Sequence, residues 1–301
     1  MNTLREWLAD GPLITDGAWG TELQKLGLEA GTVPDSWNLA HPERVEQVGR
    51  AYAEAGSEVI LTNTFRANAI AMKGVSASDL DAINRAGVRL SRMAAGRALV
   101  FASMGPTGKM LLSGEISREE AGAAFAAQAQ SLAGAGADAL LVETMSDVEE
   151  ARVAVDAARR TNLPVLVSFA FDSGRNKDRT MMGATPEDVA AAMQDAGASA
   201  VGANCGLGVE GAVPICRRLH EASHLPIWIK PNAGLPAMEG ASVRYATSAG
   251  LFASYYKELI EAGASFVGGC CGSTPEFIRA LVKAKKMQAA GSSGPGRPGM
   301  R

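Results

Sequence analysis

Short apolar runs alternate with helix-length amphipathic stretches from one end of the 301-residue chain to the other. The runs read as strands near residues 13–16, 58–64, 99–104, 139–144, 165–171, 200–204, 227–231 and 265–269. Between them lie helical patterns such as 42–55, 117–135, 147–160, 186–196 and 248–262. Many of these helices end in Ala-Gly and run into the next strand, as at Ala55-Gly56, Ala135-Gly136, Ala196-Gly197 and Ala262-Gly263. Glycine just past a helix end supplies the left-handed residue that terminates it. Strict alternation of strand and helix means parallel βαβ units. Eight such units favour closure into a single (β/α)8 TIM barrel over an open doubly wound sheet. An open sheet should carry a phosphate-binding fingerprint after its first strand; Asp16-Gly17-Ala18-Trp19-Gly20 does not supply one.

Composition agrees with one domain. Barrels of this kind run to roughly 250 residues as a single unit, and 47% hydrophobic residues are ample for the core. The expected division is a barrel over residues 1–286 and a disordered tail over 287–301, rich in Gly, Ser and Pro. A net charge of −3 leaves no basic footprint for nucleic acid. The first residues hold no apolar core of signal-peptide length, and no charge-free apolar run reaches the roughly 18 residues a membrane span needs. Four cysteines in 301 residues is no disulfide framework. A soluble protein of the reducing cytoplasm is expected.

Candidate chemistry collects at the strand ends. Cys205 sits in Gly202-Ala203-Asn204-Cys205-Gly206, and Cys270 and Cys271 adjoin in Gly268-Gly269-Cys270-Cys271-Gly272. Three thiols at the ends of two strands are a ligand set for a zinc ion with its fourth position open to substrate. The alternative is three buried core cysteines. Glycines on both sides of each thiol run weigh against it, because a core cysteine needs no backbone free to approach a ligand or take positive φ. Active sites of parallel barrels lie at the C-terminal ends of the strands. Asp16, Asn63, Thr64, Glu143 and Asn232 fall there too, although Asp16 or Glu143 alone would also serve as a capping or turn carboxylate. Cys216 lies in a helical stretch and reads as core; His41, His220 and His224 match no ligand spacing.

Seven segments in this order carry a family resemblance: Asp16-Gly17-Ala18-Trp19-Gly20-Thr21-Glu22-Leu23, Thr62-Asn63-Thr64-Phe65, Gly105-Pro106-Thr107-Gly108, Val142-Glu143-Thr144, Gly202-Ala203-Asn204-Cys205-Gly206, Lys230-Pro231-Asn232-Ala233-Gly234-Leu235-Pro236 and Gly268-Gly269-Cys270-Cys271-Gly272-Ser273-Thr274-Pro275-Glu276. From about Trp7 to Ala284 the chain resembles the homocysteine-binding methyltransferases. That family includes betaine– and S-methylmethionine–homocysteine methyltransferases and the homocysteine module of cobalamin-dependent methionine synthase. The resemblance implies a (β/α)8 barrel, Zn2+ held by Cys205, Cys270 and Cys271, and homocysteine bound through its sulfur and methylated to methionine. It also implies that Asp16 and Glu143 hold the substrate's amino group. Backbone amides of Gly17 to Thr21 are candidates for the substrate carboxylate, and Asn63 and Asn232 complete the expected contacts.

The methyl donor is less constrained. Betaine-specific relatives place tyrosines beside the second-strand aromatic and after the fourth-strand glutamate; here those places read Phe65-Arg66 and Glu143-Thr144. Trp19, Trp37 and Phe65 remain as aromatic walls, an incomplete cage for a quaternary ammonium. The run Met104-Gly105-Pro106-Thr107-Gly108-Lys109 is similar to the cobalamin-dependent synthase module. A corrinoid or methylfolate-linked donor, supplied by a separate corrinoid protein, is therefore expected ahead of betaine or S-methylmethionine. The charged segment 172–179 reads as a loop over the barrel mouth, either solvated or a lid or docking element. Two other classes stay open: a zinc-free lyase or aldolase using Lys230 as a Schiff-base lysine, and a non-catalytic zinc scaffold, for which four ligands would be expected.

Overall fold

The computed structural model describes residues 2–206, 208–239 and 242–292. Eight parallel strands form the barrel: β1 (Leu13–Ile14), β2 (Val59–Leu61), β3 (Leu99–Met104), β4 (Ala139–Met145), β5 (Val165–Phe169), β6 (Ala200–Cys205), β7 (Ile227–Pro231) and, after an antiparallel hairpin of β8 (Pro236–Glu239) and β9 (Ser242–Tyr245), β10 (Ala264–Val267). Their order around the sheet is β1-β10-β7-β6-β5-β4-β3-β2. All eight expected strands are present. The hairpin adds to the eight expected strands, its own two being only four residues each.

The ring closes at a narrow seam. β1 and β2 meet in one parallel bridge, Thr15 with Val59, and side chains complete what the short ladder leaves unpaired. Ile14 N donates to Glu58 Oε2 at 2.8 Å and Leu61 N donates to Asp16 Oδ2 at 2.8 Å. Lys285, on the last helix (Pro275–Ser292), holds Glu58 in place at 2.6 Å.

Side chains alternate across a strand with period two, and that alternation sorts the barrel interior into layers. An aromatic and aliphatic layer contains Leu61, Phe101, Leu141, Leu166, Trp228 and Phe266, all buried. Trp228 and Phe266 lie 5.3 Å apart between ring centroids, and Phe101 lies 6.0 Å from each. Trp7 from the N-terminal helix (Asn2–Trp7) meets Phe101 at 5.4 Å and plugs the bottom. Two residues further along the same strands come Ser103, Glu143, Ser168 and Lys230, all polar and all buried. The step from packing to chemistry is thus one pleat.

The last helix runs to Ser292, past the boundary expected at residue 286; Met287, Gln288, Ala289 and Ala290 are good helix formers and carry it on. Residues 293–301 of the expected tail lie outside the described residues. Segment 172–179 folds back on itself through Arg179 N to Ser173 O at 3.2 Å, and Asp178 pairs with Arg218 at 2.7 Å.

One glycine marks how tightly the strands are spaced. A Cβ on Gly202 of β6 would stand 1.9 Å from the carbonyl oxygen of Trp228 on β7. Gly202→Ala should therefore destabilise the barrel by about 2 kcal/mol or more, as overpacking against backbone does. Gly250, at an exposed position of the helix Ala249–Ser254, has nothing within 4 Å; Gly250→Ala should stabilise by about 0.5–1 kcal/mol. Urea midpoints of the two variants, moving in opposite directions from the parent, test this.

Candidate active site and metal centre

At the C-terminal ends of the strands lies a cavity of about 540 Å3 whose wall includes Gly17, Asn63, Arg66, Glu143, Cys205 and Cys271. The three expected thiols converge on it. The sulfurs of Cys205, Cys270 and Cys271 all lie within 4.8 Å of one another, with Cys205 and Cys270 at 3.2 Å. Cys205 ends β6 in a left-handed conformation, φ 60°. Gly268 and Gly269 carry the other pair past obstacles: a Cβ there would meet Thr15 Oγ1 at 1.9 Å and Ser273 Oγ at 2.2 Å.

Asn232 ties the two cysteine loops together. Its Oδ1 accepts from Cys271 N at 3.1 Å, its Nδ2 donates to Gly206 O at 3.0 Å, and its own N donates to Cys205 O at 3.2 Å. This residue, expected at the substrate, holds the two cysteine loops in register.

Three free thiols this close cannot all ionise unaided. Hydrogen bonds from Cys205 and Cys270 pull the Cys271 thiol down to about 3. The same bonds, with burial and charge repulsion, push Cys205 well above the ordinary thiol range. Cys270 gains from its bond with Cys205, yet its bond to Cys271, burial and the Cys271 charge together push it up to about 11. One thiolate and two protonated donors is the balance without a cation. A soft divalent ion would replace the two protons and take all three sulfurs as ligands, so the residues present fit such an ion.

Glu143 is aimed by a bulge. Register between β4 and β5 slips between Val142 and Met145, and Thr144 takes φ 62°, a costly conformation for a β-branched residue. Asn204 holds it there: Thr144 N donates to Asn204 Oδ1 at 2.9 Å, and Asn204 Nδ2 donates to Thr144 Oγ1 at 2.7 Å. Ser168 Oγ supports the same Oδ1 at 2.6 Å, and Asn204 Nδ2 also reaches Cys205 Sγ at 3.5 Å. The carboxyl of Glu143 accepts from Ser103 Oγ. Burial pushes it up to about 7; the Lys230 charge and the Ser103 bond oppose this, while Cys270 and Asp16 add to it.

Asp16 is differently placed. It is fully buried, its Oδ1 is paired with Lys230, and its Oδ2 accepts from Trp19 Nε1 at 2.7 Å and from Leu61 N at 2.8 Å. Its carboxylate, expected at the substrate's amino group, accepts from protein donors on both oxygens. Lys230, itself 2% exposed, is locked in the same pair, which withdraws the lysine that the lyase reading needs. Asn63 reaches the cavity wall, but its Nδ2 donates to Pro34 O at 2.8 Å and Asn38 Oδ1 at 2.9 Å. Gly17 approaches so closely that a Cβ would lie 2.6 Å from Ser273 O.

Among the aromatics, Trp19 and Phe65 line the cavity, whereas Trp37 meets His41 edge-on at 4.6 Å and lies under Arg44 at 5.1 Å, away from it. Tyr245, which no local sequence pattern marks, is set by the hairpin on the cavity wall with Cys271. Its ring covers Gly272, where a Cβ would stand 2.2 Å from Cγ. Asp35, equally unmarked in the sequence, is a buried wall carboxyl that burial pushes up to about 6 although Arg66 N donates to it at 2.7 Å. Asn204 was visible beside Cys205, and Ser103 two residues after Phe101; Tyr245 had no local signal.

Comparison with known proteins places this geometry. A family model described as homocysteine S-methyltransferase matches residues 13–285. Methionine synthases of Mycobacterium leprae (strain TN) and Mycobacterium tuberculosis (strain ATCC 25618 / H37Rv) are 30% and 29% identical over 93% of this chain, which spans 25% of the length of each. The metallated form of the homocysteine methyltransferase MmuM from Escherichia coli aligns with TM-score 0.76 and 26% identity, over 92% of this chain and 98% of that one. The match runs from the first barrel strand into the last helix and takes in all three converging cysteines, and the chain therefore belongs to the homocysteine S-methyltransferase family of methyl-transferring enzymes.

Proposed function

We propose that the protein is a zinc-dependent homocysteine S-methyltransferase that forms methionine. The observation that carries this reading is the convergence of three cysteine sulfurs within 4.8 Å at a cavity whose wall also holds the buried carboxyl of Glu143. Zinc held by Cys205, Cys270 and Cys271 would supply a Lewis acid that keeps a substrate thiol deprotonated near neutral pH. Glu143 receives the substrate ammonium, and backbone amides of the turn from Gly17 to Thr21 face its carboxylate. Ala18 N is excluded from that role because it donates to Ser273 O at 3.0 Å. In the transfer, the homocysteine sulfur forms the new bond to the methyl carbon while the donor–methyl bond breaks and its electron pair leaves with the donor. The residues' part is to align sulfur and methyl.

A corrinoid or methylfolate-linked donor, carried by a separate protein, is the favoured source. The likeness to methionine synthases supports it, as does a cavity whose rim presents the exposed cation Arg66 and lacks Trp37. A second reading, a small cationic donor such as S-methylmethionine or betaine, draws on Asp35 and Tyr245, an acidic and an aromatic group on the same wall. Among the described residues no helix is long and apolar enough to cross a membrane, and thiol-dependent chemistry of this kind suits the cytoplasm.

Purified protein should contain about one zinc per chain, with three cysteine ligands. Cys270→Ala should lose metal and activity together, while Cys216→Ala keeps both. Cys216 is buried and donates to Leu259 O and Ala262 O instead. Metal analysis of the two variants decides; full zinc in the Cys270 variant refutes the ligand set.

Glu143→Gln should weaken homocysteine binding by about 1–3 kcal/mol, the cost of removing a charged hydrogen-bond partner. The group is neutral below its value of about 7 and anionic above it. Its share of the affinity must therefore appear as pH rises through that value and be missing in the variant. Calorimetric titration at several pH values measures both.

Methylcobalamin should support methionine formation, and betaine should be a poor donor. A complete aromatic cage contributes about 2 kcal/mol or more, and Arg66 and Thr144 stand where two of its members would be. Saturable turnover with betaine, and none with methylcobalamin, would transfer support to the second reading.

A further inference from the structure

We propose that Tyr245 is a positioning residue of the metal centre: its hydroxyl donates to the sulfur of Cys271 and holds that ligand in place for the cation. The proposal rests on the zinc reading and deepens it, by naming the group that completes the hydrogen-bond donors around the three sulfurs.

Three observations carry it. The first is placement. Tyr245 lines the cavity together with Cys205, Cys270 and Cys271, and its hydroxyl is hydrogen-bonded to Cys271 Sγ. Its ring lies on the backbone of the next residue, Gly272, which takes φ 81° and has no side chain to push it away. The second is the anchoring of the hairpin. Thr247 N donates to Ala233 O at 3.1 Å, and Ala233 N donates to Cys271 O at 2.9 Å. Both feet of the β8–β9 hairpin are thus tied to the loop whose sulfur the tyrosine meets. Gly234 lets the feet close, since a Cβ there would stand 2.6 Å from Thr247 Oγ1. The third is a division of donors. Asn204 Nδ2 reaches Cys205 Sγ at 3.5 Å and Cys270 Sγ at 4.0 Å; Tyr245 serves the remaining sulfur.

The chemistry of a bound cation gives the hydroxyl its purpose. Without metal, Cys205 and Cys270 are the other side-chain donors to Cys271. A divalent ion that takes all three sulfurs displaces their protons, so both of those donors vanish when it binds. A phenol keeps its proton at neutral pH and remains. Three thiolates on a divalent ion leave a single negative charge in the site. A charge-assisted hydrogen bond is stronger there than a neutral one, and an unpaired charge is costly. Partners that stand behind the ligands in this way govern metal affinity nearly as firmly as the ligands do.

The test is Tyr245→Phe in the full chain, which keeps the ring on Gly272 and removes the hydroxyl. The hairpin lies outside the eight-stranded sheet, so the barrel does not depend on the change. Tyr255→Phe, the same change at the end of the helix Ala249–Ser254 and away from the cavity wall, is the control. Two measurements are made at one neutral pH: competition for zinc with a chromophoric chelator, and the thiolate-to-metal charge-transfer band after cobalt substitution. Tyr245→Phe should weaken zinc affinity about tenfold. It should also move the band to longer wavelength, because a sulfur without its hydrogen bond gives up electron density more readily. Tyr255→Phe should match the parent in both. Weaker affinity with an unmoved band would mean that the tyrosine only packs the loop, and overturns the proposal. Parental values of both in Tyr245→Phe overturn it as well and leave the residue an aromatic wall. A parent that holds neither zinc nor cobalt removes the zinc reading itself, and with it the assignment.

Discussion

Parallel strands close into a barrel only if the last pair of edges finds hydrogen-bond partners, and here that pair is short of backbone. β1 is two residues long and meets β2 in a single bridge. Asp16 makes up the deficit by accepting from Leu61 N, where a carbonyl of a longer strand would have stood. A charged acceptor on a buried amide contributes about 1.5–3 kcal/mol, and the same carboxylate fixes the indole of Trp19 and the ammonium of Lys230. Closure of the sheet and the floor of the cavity are therefore one construction. Loss of the carboxylate opens the seam and strands a buried cation together.

The rest of the site follows from the pleat. Phe101, Leu141, Leu166 and Trp228 face the interior, so Ser103, Glu143, Ser168 and Lys230, two residues on, face it as well, at the open end. Parallel strands bring all these ends to one rim, which gathers cysteines 65 residues apart in the chain into sulfur contact. Asn204 joins the two halves of the rim by bonding Thr144 on one side and reaching Cys205 on the other. Asn232 performs a similar service between the cysteine loops.

What the sequence disclosed was periodic or local. Apolar runs separated by amphipathic stretches placed eight strands, and glycines flanking the thiols marked backbone that had to pass close to its neighbours, as the contacts of Gly268 and Gly269 bear out. What it concealed was long-range. Asp16 and Lys230 lie 214 positions apart, and no local pattern reveals that they neutralise each other. Trp37 had the right chemistry for a cage and the wrong direction, which only its edge-on contact with His41 decides. The hairpin bearing Tyr245 is an insertion between β7 and the following helix, with no repeat to betray it.

The twisted backbone at Thr144 has a consequence for how this protein can change. A β-branched residue at φ 62° stores roughly 1–3 kcal/mol, so glycine there would relieve it and give a hardier molecule. The gain would be drawn from the lever that swings Glu143 into the cavity, since a glycine could relax out of the bulge and has no hydroxyl for Asn204 to grip. Selection for heat resistance and selection for turnover thus pull this one codon in opposite directions.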